Sequence, residues 1–396
     1  MSTILQLTPH DPLIARDGRP FGAGQGNRMR GLPWPLPSVV AGSFRTALVK
    51  ATPDLDFSGN MPERLLQIAV AGVFPVHGGQ LYLPAPNDCA WDEKTNTLHR
   101  VQPIPLAEGE GVDFPELDQN LWPVRLSAQQ ATEDFKAKNP PRWWPLRKHE
   151  EWLTSSAKQY PSDWFSPEFL NNPQESMRDH VALDAERGAA AESQIFATAN
   201  LHVTHLPRFG VKLDGKKLTF GDRFAPVELS ARVDAGESGL NITNVSLWHP
   251  LGGERRLVHW QQCPQTVTGW DCPQAIRDAL AQTTQVRLIL ATPAIFAGGW
   301  KPGWLNEHLE GTPPGCSVKL KLVGVSNGRW KAVSGWSLAP PRGPKAIRRM
   351  VPAGGVYFFT CEKEAAAKLA DLWLQAISDD DQARRDGFGL ALWGIW

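Results

Sequence analysis

The chain has 396 residues, 42% hydrophobic and 21% charged, the proportions of a folded protein and not of a disordered or fibrous one. Its 41 basic residues balance 41 acidic ones, and a formal net charge of zero argues, taken alone, against a nucleic-acid partner. There is no run of 18 apolar residues, no basic start ahead of an apolar segment, and five scattered cysteines (Cys89, Cys263, Cys272, Cys316, Cys361). Membrane span, secretory leader and disulfide framework are therefore not expected, and a cytoplasmic location is.

Two domains are expected for this length. Residues 3–16 suit a strand that Pro9 and Pro12 interrupt. The stretch DGRPFGAGQGNRMRG (17–31) sets glycines among Arg19, Arg28 and Arg30, with Arg16 just before. Glycine lets backbone amides approach a phosphate and arginine grips it with a planar fork, so these are candidate phosphate ligands. In LPWPLPSVVAGSFRTALVK (32–50), Ser38 is the expected N-cap of a helix whose amides can face an anion. Val40, Phe44, Ala47 and Leu48 form its buried stripe; Arg45 and Lys50 lie off it. VFPVHGGQLYLPAP (73–86) reads as a hairpin turning at Gly78-Gly79.

Residues 108–175 hold Trp122, Trp143, Trp144, Trp152 and Trp164 among many prolines, without clean periodicity. They are expected to be an insertion packed on the surface, on itself or against a partner. Strand-like runs follow: SQIFATANLHV, VELSARV, RRLVHWQ, VRLILATPAIF, SVKLKLVGV and AGGVYFFTC. Helices are expected over 273–283 and from about Glu362, where Ala366, Leu369, Ala370, Trp373 and Ile377 make one apolar face. The end, RRDGFGLALWGIW, is a glycine loop and a last strand. This is an α+β chain with a βαββαβ, ferredoxin- or RRM-like pattern in residues 231–396 and a more decorated copy in residues 1–230.

The zero net charge conceals segregation. From Ile14 to Lys50, Arg16, Arg19, Arg28, Arg30, Arg45 and Lys50 face Asp17 alone. From Gly311 to Cys361, Lys319, Lys321, Arg329, Lys331, Arg342, Lys345, Arg348 and Arg349 face no acid. Such a distribution points to one basic face. His249, His259, Cys263 and Cys272 lack the spacing of a zinc site, and Asp379–Asp381 read as a solvated turn, so no metal or cofactor is expected. His10 and His180 are the candidate bases of a metal-independent ribonuclease, without a spacing that marks either.

Several stretches, in order, resemble one family. DPLIARDGRPFGAG with LPWPLPSVVAGSFRTAL, then LGGERR (251–256), ATPAIFAGGWKP (291–302), VSGWS ahead of PKAIRRMVPAGGVYFF (333–359) and GFGLALWG are similar to the RAMP superfamily. Within it they resemble subunit three of the Cmr module of type III-B CRISPR effector complexes. VALDAERGAAAESQIF (181–196) is similar to the stretch where such subunits carry a thumb.

The resemblance implies tandem ferredoxin-like domains with the insertion at 108–175 and a thumb-like hairpin at about 178–200. It implies a non-catalytic role in antiviral defence: capping the 5′ tag of the CRISPR RNA and bridging the large polymerase/cyclase-like subunit to the backbone filament, with target RNA met only indirectly. On that reading Arg16, Arg19, Arg28, Arg30 and Arg45 line one bank of an RNA groove. Lys345, Arg348, Arg349 and the Gly387–Gly389 loop line the other, Ser38 offers amides, and Arg187 and Gly188 mark the thumb tip. The alternatives are a RAMP endoribonuclease that processes the CRISPR RNA precursor, and a scaffold that touches no RNA.

Overall fold

A computed structural model describes residues 2–17, 27–111, 121–127, 136–211, 218–337 and 342–396, without the side chain of Ser193. Arg19 and most of the first glycine-rich stretch lie outside them.

The elements that build the body are, in chain order, β1 (Ser2–Pro9), α1 (Pro37–Ala51), β2 (Ala69–His77), β3 (Gln80–Pro84), β4 (Trp143–Pro145) and α2 (Leu146–Thr154). Then come β5 (Gln174–Asp184), β6 (Ala189–His202), β7 (Glu228–Asp234), β8 (Ser246–Pro250), β9 (Leu257–Gln262) and α3 (Gln274–Leu280). The last are β10 (Gln285–Leu290), β11 (Leu320–Ser326), β12 (Lys331–Val333), β13 (Arg348–Met350), β14 (Val356–Cys361), α4 (Asp381–Arg385) and β15 (Ala391–Ile395).

The first sheet has the order β8-β9-β1-β7-β2-β3-β4. β1 lies between β7 and β9, antiparallel to both, with Leu5 opposite Ala231 on one side and Gln262 on the other. The second sheet runs from the short strand Glu310–Gly311 through β11, β14 and β10 to β15. β10 is antiparallel to both β14 and β15. The expected division at residue 230 falls inside β7, which pairs on both edges with strands of the first sheet. The sheets instead part company between Gln262 and Gln285, because VELSARV and RRLVHWQ complete the first sheet.

α1 packs the stripe read from its sequence against the first sheet, and Phe44 meets Trp260 at 5.3 Å between ring centroids. A larger core is continuous across both halves, from Phe74 and Leu83 to Leu288, Phe358 and Trp393. Residues 143–170 of the tryptophan-rich stretch contribute to that core. Trp143, Trp144 and Trp152 are fully buried, and β4 pairs with β3 at the sheet edge. For Trp143, Trp144 and Trp152 a surface placement is thus corrected to an interior, in which Trp144 packs on Trp152 and Trp164. The reason is electrostatic as well as apolar: Asp88 and Arg287, both fully buried, pair at 2.5 Å beneath Trp152, whose indole N–H donates to Asp88.

The second expected helix is a 3-10 segment, Ala365–Leu372. All five residues of its apolar face are buried, yet the left-handed Glu364 and Leu374 break the α-helical path. The Leu374 amide donates across to Ala391 in the sheet. Among the described residues no helix is long and apolar enough to cross a membrane.

Candidate nucleic-acid interface

Where the halves meet, the proline-rich turn is pinned by Trp34, whose indole N–H donates to the Val73 carbonyl at 3.0 Å and whose ring lies 4.6 Å from that of Trp143. Beside it runs a groove of about 550 Å³. One wall is built by Leu13, Arg16 and Met29, the other by Ser334, Trp336 and Pro344. The two acid-poor segments of the sequence therefore meet along a single groove, which Arg16 lines together with Asp17 and Glu254, while Arg348 and Arg349 lie on a neighbouring cavity with Asp379 and Asp380.

The first bank is set by strand alternation. Met29 is buried and its amide donates to Ala197, while Arg28 and Arg30 on either side are exposed. Arg16 is likewise exposed, following the buried run Leu13–Ala15. The short strand Asn27–Arg28 pairs parallel to β6, so this bank leans on a long hairpin made by β5 and β6. Arg187 and Gly188 occupy the hairpin's turn, Arg187 exposed and Gly188 at φ 62° with its amide donated to Asp184.

The second bank is a two-stranded ribbon. β12 pairs with β13, Ala332 opposite Arg349 and Val333 opposite Arg348. Val333 and Met350 are buried against Ile295 and Phe388, which anchors the ribbon and turns its cations outward. Lys345 is exposed, with its amide donated to Gly335. Arg348 lies 3.9 Å from Asp380, and Arg349 sits over the Trp330 ring at 4.8 Å.

Three expected contacts are corrected. Arg45 is 6% exposed and its guanidinium is fully engaged, with Asp386 at 2.5 Å and the carbonyls of Ile68 and Arg385. The helical stripe is wide enough at this point to take Arg45 inside, where it joins the halves and faces no groove. Gly387 and Gly389 are buried at φ 88° and 82°. A side chain at Gly387 would strike the Val70 carbonyl, and the Gly389 amide is spent on Pro293, so this loop seals the junction and presents no amides to a ligand. Ser38 is the second residue of α1; Leu36 is the N-cap, no side chain caps the helix, and Pro37 takes the first position. Asp380 and Asp381 are exposed, as a solvated turn requires, and the run is structural as well: Asp379 accepts amides from Ala297 and Gly303, and Asp380 caps α4 through Ala383.

Sequence reasoning passed over two groups at the groove. In LGGERR, the Gly253 amide donates to Ile14, Glu254 and Arg255 take left-handed conformations, and Arg256 donates to Asn200 on β6. The pair of glycines ahead of two arginines carried that signal. Trp330 and Trp336 are the other group; both stand in an acid-free stretch, and Trp336 lies within VSGWS.

The family described as CRISPR-associated protein (Cas_Cmr3) matches residues 5–396. The chain belongs to the Cas_Cmr3 family. Among solved structures, this Cas_Cmr3 chain is similar to one titled "Cryo-EM structure of the Type III-B Cmr-beta bound to cognate target RNA", at 12% identity, TM-score 0.46, covering 90% of this chain and 86% of that one. It is also similar to a chain of the "Crystal structure of Csm3-Csm4 subcomplex in the type III-A CRISPR-Cas interference complex", at 10% identity, TM-score 0.35, covering 92% and 94%. Among curated proteins none matches.

Proposed function

We propose that this chain is a non-catalytic RNA-binding subunit of a type III-B CRISPR effector complex. It holds the 5′ tag of the CRISPR RNA in the groove and joins the large polymerase/cyclase-like subunit to the first backbone subunit of the filament. The observation that carries the reading is the meeting of two acid-poor segments, more than 300 residues apart in sequence, as the walls of one groove. A single strand is held by phosphate contacts with its bases splayed, and such holding needs no catalytic group. Arg16, Arg28, Arg30, Lys345, Arg348 and Arg349 are the phosphate ligands of this proposal, and the β5–β6 turn with Arg187 and Gly188 is the thumb tip that separates tag from guide. Each half is read as a ferredoxin-like unit, supported by the order fourth-first-third-second in β9-β1-β7-β2 and in β15-β10-β14-β11.

Reversing Arg16, Arg28 and Arg30 to Glu tests the reading. The full chain should bind a single-stranded RNA bearing the repeat-derived 5′ segment, with a log–log salt slope that drops by roughly 0.7 for each phosphate that the variant no longer neutralises. Undiminished binding by the triple variant removes the site. The same RNA should emerge uncut. His10 stands edge-on to Trp248, and His180 stacks on Phe196 with a ring nitrogen 2.9 Å from the Thr198 hydroxyl. A defined cleavage abolished by His10→Ala or His180→Ala would make the chain a processing endoribonuclease instead.

A further inference from the structure

We propose that Trp330 and Trp336 form a base-stacking platform on the second bank, so that the bound strand is gripped there by its nucleobases as well as its phosphates. The inference rests on the groove reading and adds a ligand chemistry to it.

Both tryptophans are largely exposed, 56% and 63%, in a molecule that buries Trp143, Trp144, Trp152, Trp260 and Trp393 completely. Trp248 is as exposed, 59%, and stacks on His259, so exposure alone marks no site; what sets Trp330 and Trp336 apart is their place among the cations of one acid-free stretch. Here the two flank one ribbon. Trp330 immediately precedes β12, and Trp336 lies six residues on in a separate short pairing with Pro344, with Ser334 and Gly335 outside either strand pair. The ribbon is held rigidly at its base by Val333 and Met350, so presenting the rings costs little ordering. Arg349 covers Trp330 at 4.8 Å, an arrangement that adds a cation to the stacking surface, and Trp336 lines the same groove as Arg16.

Charge selects the occupant. Arg329, Lys331, Arg342, Lys345, Arg348 and Arg349 flank the rings, and no acid occurs between Gly311 and Cys361. Exposed aromatics interleaved with cations, beside a groove that Arg16 enters along with Asp17 and Glu254, match single-stranded nucleic acid: every base offers a π-face and every link a phosphate. A protein partner would have to bring an acidic, aromatic-accepting surface to both rings at once.

The test uses the full chain, a fluorescent single-stranded RNA carrying the repeat-derived 5′ segment, and the variants Trp330→Leu, Trp336→Leu, Trp330→Phe and Trp336→Phe. Each Leu variant should weaken binding by a factor of roughly 5 to 150, with the salt slope of the wild type, and each Phe variant should restore most of the affinity. Melting curves that match the wild type show that the ribbon is intact, and the Phe variants keep the comparison valid if Leu disturbs it. Leu variants that bind RNA as tightly as wild type overturn the proposal, and failure to associate with another subunit of the complex would then assign the rings to a protein interface. Should the tryptophan variants weaken binding while reversal of Arg16, Arg28 and Arg30 does not, the platform stands and the groove reading fails.

Discussion

Arg45 and Asp386 stand 341 positions apart in the chain and meet inside it. Neither reaches water to any extent, with side chains 8% and 5% exposed, so each ion depends on the other for its solvation. Arg45→Ala leaves a buried carboxylate without its cation, and Asp386→Ala leaves the reverse. Either should lower the free energy of unfolding by about 3–5 kcal/mol, read from denaturant titration, because removing one partner strands the other. The RNA salt slope of the folded fraction should stay at the wild-type value. A slope that fell with Arg45→Ala would mean that this arginine touches phosphate after all. The sequence set Arg45 off the apolar stripe of α1 and could not name its carboxylate, since nothing local links α1 to a turn 341 residues on.

At the scale of elements, α2 has a measurable consequence. It carries His149 and Trp152 into the core, where the fully buried imidazole lies against Trp144 and reaches the Leu83 carbonyl through one nitrogen at 3.3 Å. Burial pushes this histidine down to about 4, well below the ordinary range near 6.5. Unfolded chain therefore binds a proton that folded chain refuses. Stability from this group is complete above about pH 6.5 and is lost as pH falls toward 4, by about 3 kcal/mol in all. Denaturation midpoints across pH 4–7 should show that decline, and His149→Gln should flatten it. The neighbouring Arg100, held over Trp152 at 4.1 Å, is pushed down to about 9 by the same burial and by Arg287. Elements of this kind were the least legible ones. Strands with β-branched and aromatic runs declared themselves, as did the α1 stripe and the Gly78-Gly79 turn. The stretch around Trp143 and Trp152 did not, because its order comes from indole packing and a buried ion pair with a distant strand, and neither leaves a periodicity to read. The basic banks were visible as charge runs; which of their arginines turn inward was decided by packing.

For the molecule as a whole, the continuous core matters more than the division into two sheets. Apolar side chains of both sheets share it, and the ties across it are polar as well: Asp88 with Arg287, Arg45 with Asp386, and Arg232 donating to the Leu374 carbonyl at 2.7 Å. The halves should consequently unfold together, giving one calorimetric transition whose van't Hoff and calorimetric enthalpies agree. Two resolved transitions would show that each half keeps a core of its own.

The way the groove is walled has a consequence for any chain that is cut short. Its lining comes from residues 13–39, 251–254 and 332–344, so no contiguous fragment shorter than 13–344 carries all of it. The carboxylate that receives Arg45 stands further along still, and a fragment ending ahead of Asp386 would leave that buried cation without its partner.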